Sequence, residues 1–346
     1  MTTNVSLYSS SKWIRSAIFT LLFAFFFSSS AFASCTVGSW LVNSCGPWIG
    51  GAANDYPQTG SGLRSQILYL EQRTGRQMSL VHAYNQVGEN SLDSDELYFV
   101  NRANTHLLLN WKPAAKWADA AGGNDSVNLA IDDLARSIKA VAPKKVMLSV
   151  YHEPQNDVSA NDAGDSCALS GTGTAGKPSD YRNMWHNVRN RFNALNVTNV
   201  VWVVIFQSYA NFNCLIPKLY PGGSYVTWVA SDVYDSGAGW NADISAVYNY
   251  FNSLGYSNKP YMIAEWGIHG ARPQSEAYAF YDDAKAALDA GKYPNIKAFV
   301  VWDAIGPKFN QVEYGGPGPV TNSSNYYLDP TEQTHFNKFA NDAHLQ

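Results

Sequence analysis

Charge is scarce in this chain. Asp, Glu, Lys and Arg make up 15% of its 346 residues, the formal net charge is −4, and no basic run interrupts the pattern. Nucleic acid and anionic membrane surfaces are therefore excluded as partners, because both demand clustered Lys and Arg. Cysteine is also scarce. Cys35, Cys45, Cys167 and Cys214 form no C-x-x-C pair and no His/Cys cluster at zinc spacing, so no metal is expected. The chain lacks a G-x-S-x-G elbow, a P-loop, an H-E-x-x-H helix and a G-x-G-x-x-G turn between strand and helix. These absences remove the common routes to nucleophilic serine, nucleotide and metalloprotease chemistry, and no cofactor is expected.

Long apolar runs are confined to the beginning. Lys12 and Arg15 precede the apolar run Ala17 to Phe27, and Ala31-Phe32-Ala33 supplies a small-x-small cleavage pattern. Residues 1–33 read as a secretory signal peptide, with Ser34 as the first mature residue. The apolar run falls short of the ~20 residues a spanning helix needs. Phe32-Ala33-Ser34 before Cys35 is a poor match to a lipid-attachment signal, so plain secretion without a membrane anchor is expected. Export makes disulfides permissible. Three pairings of the four cysteines are open, and chain order favours Cys35 with Cys45 and Cys167 with Cys214.

What the chain has in quantity is aromatic surface: 14% of residues, with 11 Trp and 21 Tyr. Flat rings of this kind suit contact with sugars. From about residue 48, short apolar runs alternate with stretches of helical period, the pattern of repeated βα units around a parallel sheet. The strand candidates are Trp48 to Ala53, Met78 to Tyr84, His106 to Trp111, Val146 to Tyr151, Val200 to Phe206, Val226 to Val233, Tyr261 to Ala264 and Ala298 to Trp302. Helices are expected over Ser61 to Arg73, Asp125 to Val141, Ser179 to Leu195, Asp243 to Leu254, Gln274 to Ala290 and Thr331 to Ala343, with Gly255 and Gly291 just past two of their ends. Eight units in residues 34–346 point to a single α/β domain, a (β/α)8 TIM barrel. The stretch Asn156 to Lys177, rich in Gly, Ser, Asp and Thr, is too long for an ordinary βα loop and marks a functional one.

In such a barrel the active site forms at the C-terminal strand ends. Two of those ends carry glutamate: Glu153, after the fourth run and within His152-Glu153-Pro154, and Glu265, after the seventh and within Glu265-Trp266-Gly267. A lone glutamate there would more often cap a helix or pair with arginine. Two of them across one barrel mouth are what glycoside cleavage requires, one to protonate the leaving oxygen and one to attack the anomeric carbon.

At these residues the chain resembles glycoside hydrolase family 26. The resemblance rests on His152-Glu153, Tyr181-x-x-Met184-Trp185, Asn199 to Val203, Leu219-Tyr220-Pro221-Gly222-Gly223-Ser224-Tyr225-Val226 and Asp232-Val233-Tyr234-Asp235, and it covers nearly the whole mature chain. It implies a retaining hydrolase with Glu153 as acid/base and Glu265 as nucleophile. It further implies that His152 lies beside the site, that Tyr234 holds the nucleophile, and that Trp302 forms the floor under the sugar. Trp111 and Lys112 on the third strand and His82 on the second join them by position at strand ends. Core packing would account for Trp111 equally well, and a satisfied histidine for His82.

The chain departs from the mannan-cutting pattern, which tends to carry arginine before the His-Glu pair and tryptophan after it. Here Ser149 and Pro154-Gln155-Asn156-Asp157 stand instead. β-1,4-Mannan leads as the expected polysaccharide, with β-1,3-xylan and mixed-linkage β-glucan as alternatives. A monomer is expected. The competing reading from another class is a polysaccharide-binding barrel without turnover, and the presence of both glutamates counts against it.

Overall fold

The computed structural model describes residues 35–54, 62–163, 167, 173–268, 272–304 and 330–346. The expected signal segment and its cleavage site lie outside them. Eight parallel strands close into one barrel: β1 (Trp48–Asn54), β2 (Leu80–Asn85), β3 (His106–Trp111), β4 (Val146–Val150), β5 (Val200–Gln207), β6 (Trp228–Tyr234), β7 (Tyr261–Gly267) and β8 (Ile296–Ala304). Closure comes from β8 pairing with β1 over seven residue pairs, from Trp48 with Ala298 to Asn54 with Ala304. The helices are α1 (Leu63–Thr74), α2 (Ser94–Asn101), α3 (Asp125–Ala140), α4 (Pro178–Ala194), α5 (Ile216–Leu219), α6 (Trp240–Ser253), α7 (Gln274–Asp289) and α8 (Pro330–Ala340). The expected barrel is therefore the observed one.

The strands read as unbroken apolar runs because both of their faces are buried. Alternate residues supply two separate cores. Trp48, Ala52, Leu80, Leu108, Met147, Val203, Trp228, Met262 and Val300 fill the inside of the barrel. Their neighbours, among them Leu107, Leu109, Val146, Leu148, Val204 and Phe299, pack outward against the helices. The interior is tight: a Cβ on Gly50 would stand 2.6 Å from the Leu80 carbonyl oxygen, so only glycine fits at that point of β1.

Helix ends follow the local chemistry. Asn124 caps α3 by accepting from the backbone of Ser126 and Val127, and Gly255 and Gly291 take left-handed φ values of 76° and 57° just after α6 and α7. Helix α2 was not expected. It begins with a reciprocal capping box in which Asp93 accepts from the Glu96 amide and Glu96 accepts from the Asp93 amide.

Below the barrel, residues 35–45 form a small hairpin bridged at Val37 and Asn43 and closed by the Cys35–Cys45 disulfide. Indole donors fasten it there, Trp48 to the Leu41 carbonyl at 2.6 Å and Trp228 to the Trp40 carbonyl at 2.7 Å. At the opposite end Cys167 bonds to Cys214 and joins the long loop after β4 to the turn after β5. With its two cysteines 47 positions apart in sequence, this second bridge stabilises by about 3–4 kcal/mol in the chain-entropy account. Both favoured pairings are present, and among the described residues no helix is long and apolar enough to cross a membrane.

Candidate active site

The chain leaves β4 through an unusual backbone. Tyr151 and Glu153 have φ of 58° and 47°, in the left-handed region, and Glu153 also precedes proline. Non-glycine residues held there cost of order 1–3 kcal/mol each and persist only where their surroundings compel them. Here the compulsion is visible. The Tyr151 amide donates to the Trp111 carbonyl on β3 at 2.9 Å, and the Glu153 amide donates to the Ile205 carbonyl on β5 at 3.0 Å. The segment is thus clamped between two strands. A short 3₁₀ turn, Pro154–Asp157, follows, and from it the Asn156 amide group donates to Glu153 Oε2 at 2.9 Å.

Glu265 reaches the mouth by a different device. It lies within β7, not after it, and is 6% exposed. Ser231 pairs with Ile263 but Asp232 pairs with Glu265, so Ala264 is an extra residue in the ladder. Regular alternation would have set Glu265 on the face of Ile263, which packs outward. The bulge resets the alternation and aims the carboxylate inward. There Tyr84 donates to its Oε1 at 2.6 Å and Tyr234 to its Oε2 at 2.5 Å. Behind Tyr84 stands His82, whose Nδ1 is 2.9 Å from the Tyr84 hydroxyl and 3.1 Å from the Ala264 carbonyl. A carbonyl can only accept, so Nδ1 carries the proton, and the Tyr84 hydroxyl is left to donate to Glu265.

These surroundings separate the two carboxyls. Burial, followed by the negative charges of Glu265 and Asp157, pushes Glu153 up to about 8, against the partial relief of Lys112 and Asn156. Burial also raises Glu265, to about 7, but the two tyrosine hydroxyls hold it lower. The tyrosine hydroxyls favour the charged form of Glu265, and the charge of Glu265 favours the protonated form of Glu153. Asp232, 1% exposed and without a hydrogen-bond partner among the described residues, is raised well above the carboxylate range by burial and by the charges of Glu265 and Glu153. His152 and His82 are both lowered to about 3, chiefly by burial, and stay neutral.

Replacing Tyr234 by phenylalanine is expected to raise the Glu265 titration by ~1–2 pH units, the equivalent of one lost hydrogen bond to a charged group. NMR of carboxyl-labelled glutamate would read the shift, and an unchanged titration would show that the hydroxyl does not hold the carboxylate.

The other expected site residues divide. His152 and Trp302 are half-buried at the mouth, with the Tyr84 ring 5.5 Å from the first and 5.7 Å from the second. Lys112 places its ammonium 4.9 Å from the Tyr151 ring centre and acts on Glu153 and Asp157. Two expectations of sugar contact need correction. Trp111 is fully buried among the outward-facing core residues, because it follows inward-facing Leu108 by an odd number of positions. His82 is also wholly buried and reaches the mouth only through Tyr84. Three participants had not been singled out: Tyr84, Asn156 and Asp232 as a site residue. Tyr84 was findable, since it lies two residues beyond His82 and so on the same strand face.

Metal-ligating atoms of His152, Asp232 and Glu265 lie within 4.8 Å of one another. Both Glu265 oxygens already accept tyrosine hydroxyls, so the trio is a poor set of open ligands. A second group, Asp289, Asp342 and His344, already has the Lys285 ammonium bonded to both carboxylates.

No protein-family model and no curated sequence matches this chain. Solved structures do. A family 26 β-mannanase from Bacteroides ovatus aligns at a TM-score of 0.59 and 16% identity, over 88% of this chain and 90% of that one. The family 26 domain of an endo-β-mannanase/endo-β-glucanase from Prevotella bryantii aligns at 0.54 and 14%, over 87% and 90%. A modular endo-β-1,4-mannanase from Cellulomonas fimi aligns at 0.59 and 12%, over 87% and 72%. The chain has the barrel fold of these family 26 enzymes.

Proposed function

We propose that this chain is a secreted, retaining endo-β-glycanase that hydrolyses a cell-wall polysaccharide, with β-1,4-mannan the first candidate. The observation that carries the reading is the unequal pair at the barrel mouth: Glu265 held as carboxylate by two tyrosine hydroxyls, and Glu153 kept protonated by burial and by the charge of Glu265. One group is prepared to attack and the other to donate.

In the first step Glu265 attacks the anomeric carbon, the glycosidic bond breaks, and Glu153 gives its proton to the departing oxygen. The product is a glycosyl ester of Glu265. Forming the ester removes the negative charge that had raised Glu153, whose pKa therefore falls and suits it to act as base. Glu153 then takes a proton from water, which attacks the anomeric carbon and releases Glu265. Two inversions give net retention. Tyr234 and Tyr84 steady the carboxylate, Trp302 offers its face to the sugar, and His152 and Lys112 line the mouth. Secretion accords with the leader pattern over residues 1–33 and with two disulfides. The mannan preference draws on the named activities of the similar structures.

Purified protein should therefore release soluble oligosaccharides from mannan faster than from β-1,3-xylan, mixed-linkage glucan or cellulose. Proton NMR of the first-formed product should show the anomer of the substrate before mutarotation. An initial α-anomer from a β-linked substrate would overturn the mechanism. Binding without turnover on all four polymers would favour the non-catalytic barrel.

A further inference from the structure

Among the described residues only two aromatic side chains are largely exposed, Trp40 and Tyr209. Trp40 belongs to the hairpin under the N-terminal end of the barrel. Tyr209 lies at the catalytic end, two residues beyond β5, with 62% of its surface open. Isolated exposed rings are common and by themselves mean little. What sets Tyr209 apart is how its position is held relative to Glu153.

The side chain of Gln155, two residues after Glu153, is completely buried. It donates to the Gln207 carbonyl at 3.1 Å and accepts from the Gln207 amide at 3.3 Å. The Gln207 side-chain oxygen in turn accepts from the Tyr209 amide at 2.7 Å, and the Tyr209 carbonyl accepts from the Phe212 amide at 2.9 Å. The 3₁₀ turn that follows, Ala210–Leu215, is fastened from two sides, by the Cys214–Cys167 disulfide and by the Tyr250 hydroxyl donating to the Asn213 carbonyl at 2.7 Å. The chain thus fixes both peptide groups of one residue and leaves most of its side chain open, with the Phe212 ring 5.8 Å from its own. An aromatic platform of this kind loses little freedom when a ligand settles on it.

We propose that Tyr209 is the stacking platform for a pyranose ring on the leaving-group side of the cleft. The inference rests on the glycanase reading: Glu153 protonates the departing oxygen, so the departing sugar lies on its side of the mouth. The β5 rim adjoins that side and stands away from the nucleophile on β7. The apolar face of a pyranose meets the flat face of the phenol, a contact that is tolerant of which hydroxyls the sugar carries.

The test compares wild type, Tyr209→Ala and Tyr209→Trp on two substrates: the polysaccharide that wild type degrades fastest, and the fluoride of the matching disaccharide, whose leaving group has no ring. Tyr209→Ala is expected to raise KM for the polysaccharide roughly three- to ten-fold, the range of one aromatic contact, and to leave kcat/KM for the fluoride unchanged. Tyr209→Trp should restore polysaccharide KM. Equal losses on both substrates, or no loss on either, would overturn the platform while leaving the glycanase reading intact. A wild type inactive on every polymer and on the fluoride would overturn both.

Discussion

Glu265→Ala is expected to lower polysaccharide hydrolysis by ~10⁴-fold or more, at or beyond the upper end of what one positioned acid or base contributes. In the proposed mechanism its loss removes the atom that attacks, and no neighbour can take its place. Asp232 is the nearest carboxyl in the strand ladder, but burial keeps it protonated and a neutral acid is no nucleophile. The second half of the expectation concerns stability. The charge of Glu265 is itself disfavoured by burial and raises the cost of ionising Glu153 and Asp232, so removing it relieves the desolvation of a buried carboxylate. The unpaired Tyr84 and Tyr234 hydroxyls and a small cavity work against that gain. Thermal melting is therefore expected to stay near the wild-type temperature or to rise by a few degrees, and the Glu153 carboxyl should titrate lower in the variant. A variant that loses activity together with a large drop in melting temperature would mean that Glu265 is structural. Retention of more than a tenth of the wild-type rate would remove it from the chemistry.

The barrel was legible in the sequence because a strand buried on both faces is an apolar run, and eight such runs separated by helical stretches leave few other folds. The same property hid which way each residue points. In the run His106 to Trp111 nothing polar marks an outer face, and Trp111 could be read as a sugar contact until its place among the outward core residues was seen. Strand ends were legible only to the first charge. The run Tyr261 to Ala264 stopped short of Glu265, although β7 continues to Gly267 because Tyr84 and Tyr234 satisfy the carboxylate. No pattern announced the bulge at Ala264, since it depends on the pairing of two strands and not on either one alone. Helix α2 is too short for a clear period, and its signature was the capping box at Asp93 and Glu96.

Glu153→Ala should differ in kind from the loss of Glu265. On polysaccharide the rate is expected to fall ~10²–10⁴-fold, because the departing sugar oxygen is a poor leaving group without a proton. On a glycosyl fluoride or an activated aryl glycoside the first step needs no proton, and Glu265 should still form its ester. The second step lacks the base that Glu153 supplied, so the ester accumulates. A burst of released leaving group followed by a slow steady state is the expected trace, and mass spectrometry should find the chain heavier by one glycosyl group. Azide, which attacks without needing a base, should speed the slow phase and yield a glycosyl azide with the substrate's own anomeric configuration. The pH profile supplies an independent check. In wild type the alkaline limb reports deprotonation of Glu153, raised by burial and by the charge of Glu265, whereas the acid limb reports protonation of Glu265. Removing Glu153 should erase the alkaline limb and leave the acid limb in place, since Glu153 is neutral over the range where Glu265 titrates and the position of Glu265 is set by burial and the two tyrosine hydroxyls. No burst and no azide effect, with the alkaline limb intact, would assign the proton donor to another residue, and Asp157, which shares the 3₁₀ turn and the influence of Lys112, would be the next to replace.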